Sequence, residues 1–345
     1  MIKILVTGGS GFIGSNFISK LLKKNYKILN IDKLTYAGNN YNLKEFNKYA
    51  NYAFKRIDIK SKKINKIFDT FEPDVLINFA AETHVDRSID SSRNFLLTNI
   101  LGTHNLLEVS KNYTQKKKKK FKFIQISTDE VFGDLNKRKE KFNIGSKYNP
   151  SSPYSASKAS SDHLVRAWSR TYNLNSIILN CSNNYGPYQY PEKLIPHALI
   201  SLIEKKKIPI YGDGNQIRDW LFVEDHVDAI EKVIKYGKSG RTYLIGGNNE
   251  IKNIVLIKNI IKIYFNLKKL KIKNFKNYIK YVEDRPGHDR KYSVNINKTT
   301  KEIKWKPKTK IKDGLKKTIY WYLNNEKWID NLRKRNFKLK RIGKI

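Results

Sequence analysis

The chain reads as α/β, with a doubly wound parallel sheet followed by a smaller C-terminal domain. Three observations predict this. The apolar run Ile2 to Val6 is followed at once by Thr7-Gly8-Gly9-Ser10-Gly11-Phe12-Ile13-Gly14 and a helix-like segment to about Leu22. Further strand-like runs alternate with helical stretches, which implies a parallel sheet covered on both faces. After Ile177-Ile178-Leu179 the texture changes to an Asn-, Gly- and Pro-punctuated stretch reaching Pro209, the mark of a second region.

Taken in order, the first run and its glycines lead to a second run, Tyr26 to Ile31, that ends in Asp32. Strand, glycine turn, helix, strand and acid is the Rossmann-type dinucleotide-binding unit. Gly8, Gly11 and Gly14 let backbone approach a pyrophosphate, and the helix N-terminus offers free N–H groups. Asp32 suits a ribose 2′-hydroxyl and repels a 2′-phosphate, so NAD is the expected cofactor. Asp74 to Phe79 and Phe121 to Ile126 are further strands. Ala80-Ala81 and Thr128-Asp129-Glu130 follow strand ends and are expected to face the cofactor. Lys116 to Lys120 read as a solvated surface loop. Ser151-Ser152-Pro153 caps a helix that runs to about Tyr172. The NAD-binding domain is expected over residues 1–182, with 219–245 crossing back to it. The substrate-binding domain is expected over 183–345, with a basic, partly disordered tail from about Arg333.

Of 345 residues, 69 are Lys or Arg and 31 are Asp or Glu, a net charge of +38. The lysines are spread through the whole chain, so the charge argues for affinity towards small anions more than for a nucleic-acid partner. The single Cys181 excludes an intrachain disulfide and suits a reducing cytoplasm. The N-terminal apolar run is too short for a signal peptide, and no stretch reaches the length of a membrane span. The six His occur singly, so no metal site is expected.

Chemistry concentrates between Ser127 and Lys158. Tyr154 and Lys158 stand four apart near a helix start, so they share one face. A cation there favours phenolate and lowers the Tyr pKa, making Tyr154 a usable base. Asp129 and Glu130 precede them. By itself such a pair is explained as a helix N-terminal acid pair; next to Tyr154 and Lys158 it reads as an acid and a base.

With these residues together, nearly the whole chain resembles the extended short-chain dehydrogenase/reductase family, in its nucleotide-sugar dehydratase branch. The glycine turn and Tyr-x-x-x-Lys pair are shared by the family. More specific are Thr128-Asp129-Glu130, His84-Val85-Asp86-Arg87-Ser88, Asn183-Asn184-Tyr185-Gly186-Pro187-Tyr188, Pro191 to Pro196, Gln216 to Trp220 and Asp284 to Asp289. Related epimerases usually lack the Asp-Glu pair, and decarboxylases and GDP-mannose dehydratases usually carry Ser in place of the Asp. The resemblance implies a closed redox cycle on a nucleotide sugar, with dTDP-glucose expected and CDP or UDP left open. Tyr154 would take the 4-hydroxyl proton, Thr128 align that hydroxyl, and Lys158 hold the nicotinamide ribose. Glu130 would remove the C5 proton and Asp129 protonate the departing 6-hydroxyl. The product would feed deoxysugar and surface-polysaccharide synthesis.

The resemblance also implies NAD contacts at Phe12, Ile13, Asp32, Lys33, Leu34, Thr35, Asp58, Ile59, Ala80, Thr98 and Asn184. It implies substrate contacts at His84, Ser88, Thr128, Asn183, Lys193, Leu194, Arg218, Arg285 and His288. Pro209, Ile210 and Tyr211 would meet the base, with Asn253 and Tyr292 as weaker contacts. One departure stands out. Where the family has a Phe-Thr-Glu-like segment, this chain has Phe142-Asn143-Ile144 after the basic run Lys137 to Lys141, so the loop 142–147 over the site is expected to differ. A homodimer is expected through the helices at about 93–112 and 153–172, with Leu164, Val165 and Trp168 suiting either that interface or the core. Rival readings are an epimerase or decarboxylase of the same family, a basic nucleic-acid-binding protein, and an inactive scaffold.

Overall fold

The computed structural model describes residues 1–136 and 140–335. Lys137 to Lys139 and the end of the basic tail, 336–345, lie outside the described residues. The first unit is β1 (Ile2–Thr7), α1 (Phe12–Leu21), β2 (Tyr26–Asp32), β3 (Tyr52–Arg56), α2 (Lys63–Phe71) and β4 (Val75–Asn78). It continues through α3 (Val85–Asp90), α4 (Arg93–Phe95), a π-helical segment Leu96–Gly102, α5 (Thr103–Lys117), β5 (Lys122–Thr128), α6 (Pro153–Tyr172) and β6 (Ser176–Cys181). β10 (Thr242–Ile245) completes a seven-stranded parallel sheet of order β10-β6-β5-β4-β1-β2-β3.

Side chains alternate across this sheet, as extended strands require. Ile4, Val6, Ile28, Ile77 and Ile124 share a core with Phe17, Ile18 and Leu21 of α1 and with Val227, Ile230 and Val233 of α8 (Val223–Tyr236). Leu5, Leu29, Leu76 and Phe123 face the other way, onto Ile64, Ile67 and Phe68 of α2, Leu106 and Leu107 of α5, and Val165 of α6. The strand order reverses between β1 and β4, so their carboxyl ends open a crevice.

The second lobe has its own core, built on α7 (Leu194–Ile203), α9 (Asn253–Leu267), α11 (Ile311–Asn324) and α12 (Glu326–Lys334). Two small sheets complete it. β7 (Asn183–Tyr185), β9 (Ile217–Phe222) and β11 (Glu250–Lys252) form one, and β8 (Ile208–Tyr211) pairs with β12 (Ile279–Val282) in the other. The chain crosses between lobes more than once: α8 and β10 return to the first sheet, and Ile303 of α10 (Asn297–Ile303), with Val294, Ile296 and Trp305, also packs into its core. Among the described residues, no helix is long and apolar enough to cross a membrane, and no cluster of His, Cys, Asp and Glu could hold a metal ion.

One local reading is corrected. Lys116 and Lys117 are not loop but the last turn of α5, where cations meet the negative end of the helix dipole. Lys117 pairs with Glu72 and Lys119 with Asp74, each at 2.7 Å. The loop 142–147 is anchored at its start. Phe142 is tied in by a hydrogen bond from its N–H to the Ser293 carbonyl (2.9 Å) and stacks on Phe132, whereas Ile144 points outward at 42% exposure.

Candidate active site

One cavity of about 410 Å³ runs from the crevice at β1 and β4 into the second lobe, a size suited to small molecules. Its floor is the glycine turn. Gly8 has φ +68°, and a Cβ there would lie 2.6 Å from the Ala80 nitrogen, so only glycine lets β1 and β4 end side by side. A Cβ on Gly14 would meet the Gly8 carbonyl at 2.6 Å, which keeps α1 close to the strand. At the end of β2, Asp32 accepts from Ser10 N–H (3.0 Å) through Oδ2 and from Leu34 N–H (2.7 Å) through Oδ1. Each oxygen keeps a lone pair for a ribose hydroxyl, while a phosphate there would face a carboxylate. Phe12, Ile13, Lys33, Thr35, Asp58, Ile59, Ala80, Thr98 and Asn184 line the same end. This cradle fits NAD.

Across the cavity, β5 ends in Thr128, whose hydroxyl caps the short turn Asp129–Phe132 by accepting from Glu130 N–H at 3.2 Å. The acid pair therefore does start a helical turn, and it also faces the cavity. α6 begins with a capping box: Ser152 and Ser155 bond reciprocally, with Pro153 in the first turn. That start delivers Tyr154 and Lys158 to the same wall. Lys158 Nζ donates to the Ile126 carbonyl at 2.7 Å. Asn99, in the π-helical segment, holds the strand-end loop by bonding both Glu82 N–H (2.9 Å) and Glu82 C=O (3.0 Å).

The two carboxyls sit in different fields. Burial, then the neighbouring Glu130 and Asp219, push Asp129 well above the usual carboxylate range, and its buried Oδ2 has no hydrogen-bond partner among the described residues. Burial also raises Glu130, but Lys193, Arg285 and Arg218 pull it back. Tyr154 departs from expectation. Burial, then Glu130 and Cys181, raise its phenol well above the ordinary value, with Thr128 the opposing influence. The net direction is upward; the Lys158 ammonium bonds the Ile126 carbonyl and is itself pulled down by burial.

The second lobe supplies cations. Arg285 pairs with Asp86 at 3.1 Å, and Tyr211 OH donates to the other Asp86 oxygen at 2.9 Å. Arg218 donates to the Asp289 carbonyl (2.8 Å) and lies over the Tyr292 ring. Lys193 Nζ donates to the Thr83 carbonyl at 2.7 Å, tying the lobes together. His84, Asn183, Leu194, Pro209, Asn253 and His288 also line the cavity. Four expected contacts are not in its wall; the first, Ile210, is buried in the core of the second lobe. Ser88 is fully buried, accepting from Tyr154 N–H (3.1 Å) and donating to the Val85 carbonyl, so it seats α6 instead of touching a ligand. Leu34 contributes only its N–H to Asp32, and Tyr292 lies behind Arg218, bonded to Asp289. Glu82, Tyr190, Glu192 and His197 line the cavity unforeseen. Glu192 alone had a signal, its place in the motif Pro191 to Pro196.

A family model described as GDP-mannose 4,6 dehydratase matches residues 5–318. The chain belongs to the GDP-mannose 4,6 dehydratase family. Within that family it is 48% identical to dTDP-glucose 4,6-dehydratase of Shigella flexneri, over 96% of this chain and 95% of that protein. The dTDP-glucose 4,6-dehydratase of Bacillus anthracis, solved with NAD, superimposes with a TM-score of 0.86 at 42% identity, over 96% and 100% of the two chains. The Streptomyces venezuelae enzyme of that name, solved with NAD and TYD, gives 0.88 at 37%, with the same coverage.

Proposed function

We propose that the chain is an NAD-dependent dTDP-glucose 4,6-dehydratase, a hydro-lyase that converts dTDP-glucose to dTDP-4-keto-6-deoxyglucose. The observation that carries this is the placement of Asp129 and Glu130 beside Tyr154 in one cavity, with cations of the second lobe acting on Glu130. Bound NAD supplies a hydride acceptor for C4, a donor for C6 and a positive ring that favours a phenolate. Tyr154 takes the proton of the 4-hydroxyl, and Thr128 aligns that hydroxyl. Once C4 is a ketone, the C5 proton is acidic, and Glu130, whose carboxylate Lys193, Arg285 and Arg218 favour against burial, removes it. Asp129, kept neutral by burial and by Glu130, protonates the departing 6-hydroxyl. C5 is then reprotonated. Arg218, Arg285 and Lys193 also meet the diphosphate, for which guanidinium forks are suited.

The test is incubation with dTDP-glucose, UDP-glucose and CDP-glucose, followed by mass spectrometry. Loss of one water from dTDP-glucose, without net reduced cofactor, is expected. An unchanged mass with inverted C4 would identify an epimerase instead.

The reading extends to assembly and location. Leu96 and Leu101 before α5 and Tyr172 at the end of α6 are 46%, 52% and 44% exposed, an apolar surface suited to a second copy of the chain. Val165 is in the core, with Leu164 and Trp168 packed against it, so the three side chains first considered contribute mainly inward. Sedimentation as monomer at micromolar concentration would remove the dimer. The single buried Cys181 suits the reducing cytoplasm, where we place the reaction.

A further inference from the structure

Asp162 lies two turns beyond Tyr154 and one beyond Lys158 on α6, and the chemistry derived above makes no use of it. Its side chain is completely buried. Oδ2 accepts three hydrogen bonds from three elements: Ser127 Oγ of β5 at 2.8 Å, Tyr148 OH of the segment before α6 at 2.9 Å, and Asn180 Nδ2 of β6 at 3.1 Å. Arg166, a further turn along, donates from Nη2 to Tyr148 OH at 2.7 Å. With its oxygen engaged by Arg166, the Tyr148 proton is directed at Asp162. A carboxyl surrounded by donors is held as carboxylate. Its other oxygen, Oδ1, is buried and has no hydrogen-bond partner among the described residues.

A buried carboxylate requires a compensating cation. One turn back on the same helix face is Lys158, also buried, whose Nζ bonds a neutral carbonyl. Burial pulls the Lys158 ammonium down and the Asp162 carboxyl up, and the charge of each opposes the shift of the other. We propose that Asp162 is a positioning residue that keeps Lys158 charged and aimed, and through it makes Tyr154 a competent base. This rests on the Tyr-Lys reading of the site.

Other groups around the column do not substitute for it. Facing Asp162 are Lys158 on α6 and Tyr148 before it, and Tyr148 in turn meets His163 and Arg166; Cys181 on β6 faces Lys158, and Asp129 and Glu130 face Tyr154. Burial pushes the Cys181 thiol up to about 12 and raises the Tyr148 phenol, so both stay neutral near pH 7. The sign of the effect is diagnostic. Removing the Asp162 charge discharges Lys158, weakens the phenolate and moves the acid limb of the pH profile upward. Were Lys158 to stay charged regardless, loss of a nearby negative charge would move the limb downward.

The experiment is the pH dependence of kcat/KM for dTDP-glucose with NAD-loaded Asp162→Asn, Asp162→Glu and wild type. Asp162→Asn is expected to raise the acid limb by about one pH unit, a roughly tenfold loss at pH 7 regained at higher pH. Asp162→Glu is expected to restore the limb in part. A limb that stays, or moves down, overturns the proposal. Should Asp162→Asn not fold, Tyr148→Phe, which withdraws one donor and the Arg166 link, is expected to move the limb in the same direction by a smaller step; no movement again overturns it. Tyr154→Phe, run in parallel, separates the two readings. If it keeps normal activity the Tyr-Lys reading fails, and if it is inactive while the Asp162→Asn limb is unmoved, only the role of Asp162 fails.

Discussion

Asp129 combines a functional demand with a thermodynamic cost. A buried carboxyl whose folded pKa is raised is protonated in the folded chain and ionised in the unfolded one, at any pH between the two values. Stability therefore falls as pH rises from about 4, the unfolded value, up to the folded value, and is flat beyond it. Asp129→Asn removes that penalty. It is expected to raise the melting temperature at pH 7 by about 1–3 °C while sharply lowering dehydration, measured by calorimetry and product mass. For Glu130→Gln, kcat is expected to fall by about 10²–10⁴, the range typical of a lost general base. Since the first oxidation survives in that variant, reduced cofactor should accumulate, read as absorbance after mixing with substrate. Absence of that absorbance would take C5 deprotonation away from Glu130.

At the level of elements, the start of α6 positions the base. Ser152 accepts from Ser155 N–H at 3.1 Å, and Ser88 accepts from Tyr154 N–H at 3.1 Å, so two hydroxyls satisfy N–H groups that the helix cannot. Ser152→Ala is expected to cost about 1 kcal/mol in denaturant unfolding. The segment before α6 is anchored by Phe142 on Phe132 and by Tyr148 on Asp162, with Ile144 outside. Ile144→Glu should thus leave kcat within about twofold of wild type, as expected of an exposed surface change. A large gain would mean that the departure at this loop does tune the site.

For the molecule as a whole, the excess of 69 basic over 31 acidic residues sets the long-range field. A dianionic nucleotide sugar is drawn to such a chain, and salt screens that attraction. We expect kcat/KM for dTDP-glucose to fall several-fold, roughly, between low salt and 0.5 M, with kcat little changed. Binding to nucleic acid should be non-specific and fully removed over the same range. The two lobes meet through Asp86, which joins Arg285 and Tyr211, and through Lys193 on the Thr83 carbonyl. Contacts separated by a hundred residues or more thus build the site.

What the sequence by itself determined was local and periodic. The glycine turn before α1, the acid after β2, the alternation of strands with helices and the Tyr-Lys spacing all act within one or two elements, where residue order dictates geometry. The tertiary structure decided what depends on distant neighbours. It moved Ser88 from ligand contact to helix seat, turned Ile144 outward, and closed α5 over Lys116 and Lys117. It also gave Asp129 and Glu130, adjacent and chemically alike, unlike surroundings, because Asp219 acts on the first while Lys193 and Arg285 act on the second. Electrostatic fields sum over space, and proximity in space is set only when both lobes have folded onto one cavity.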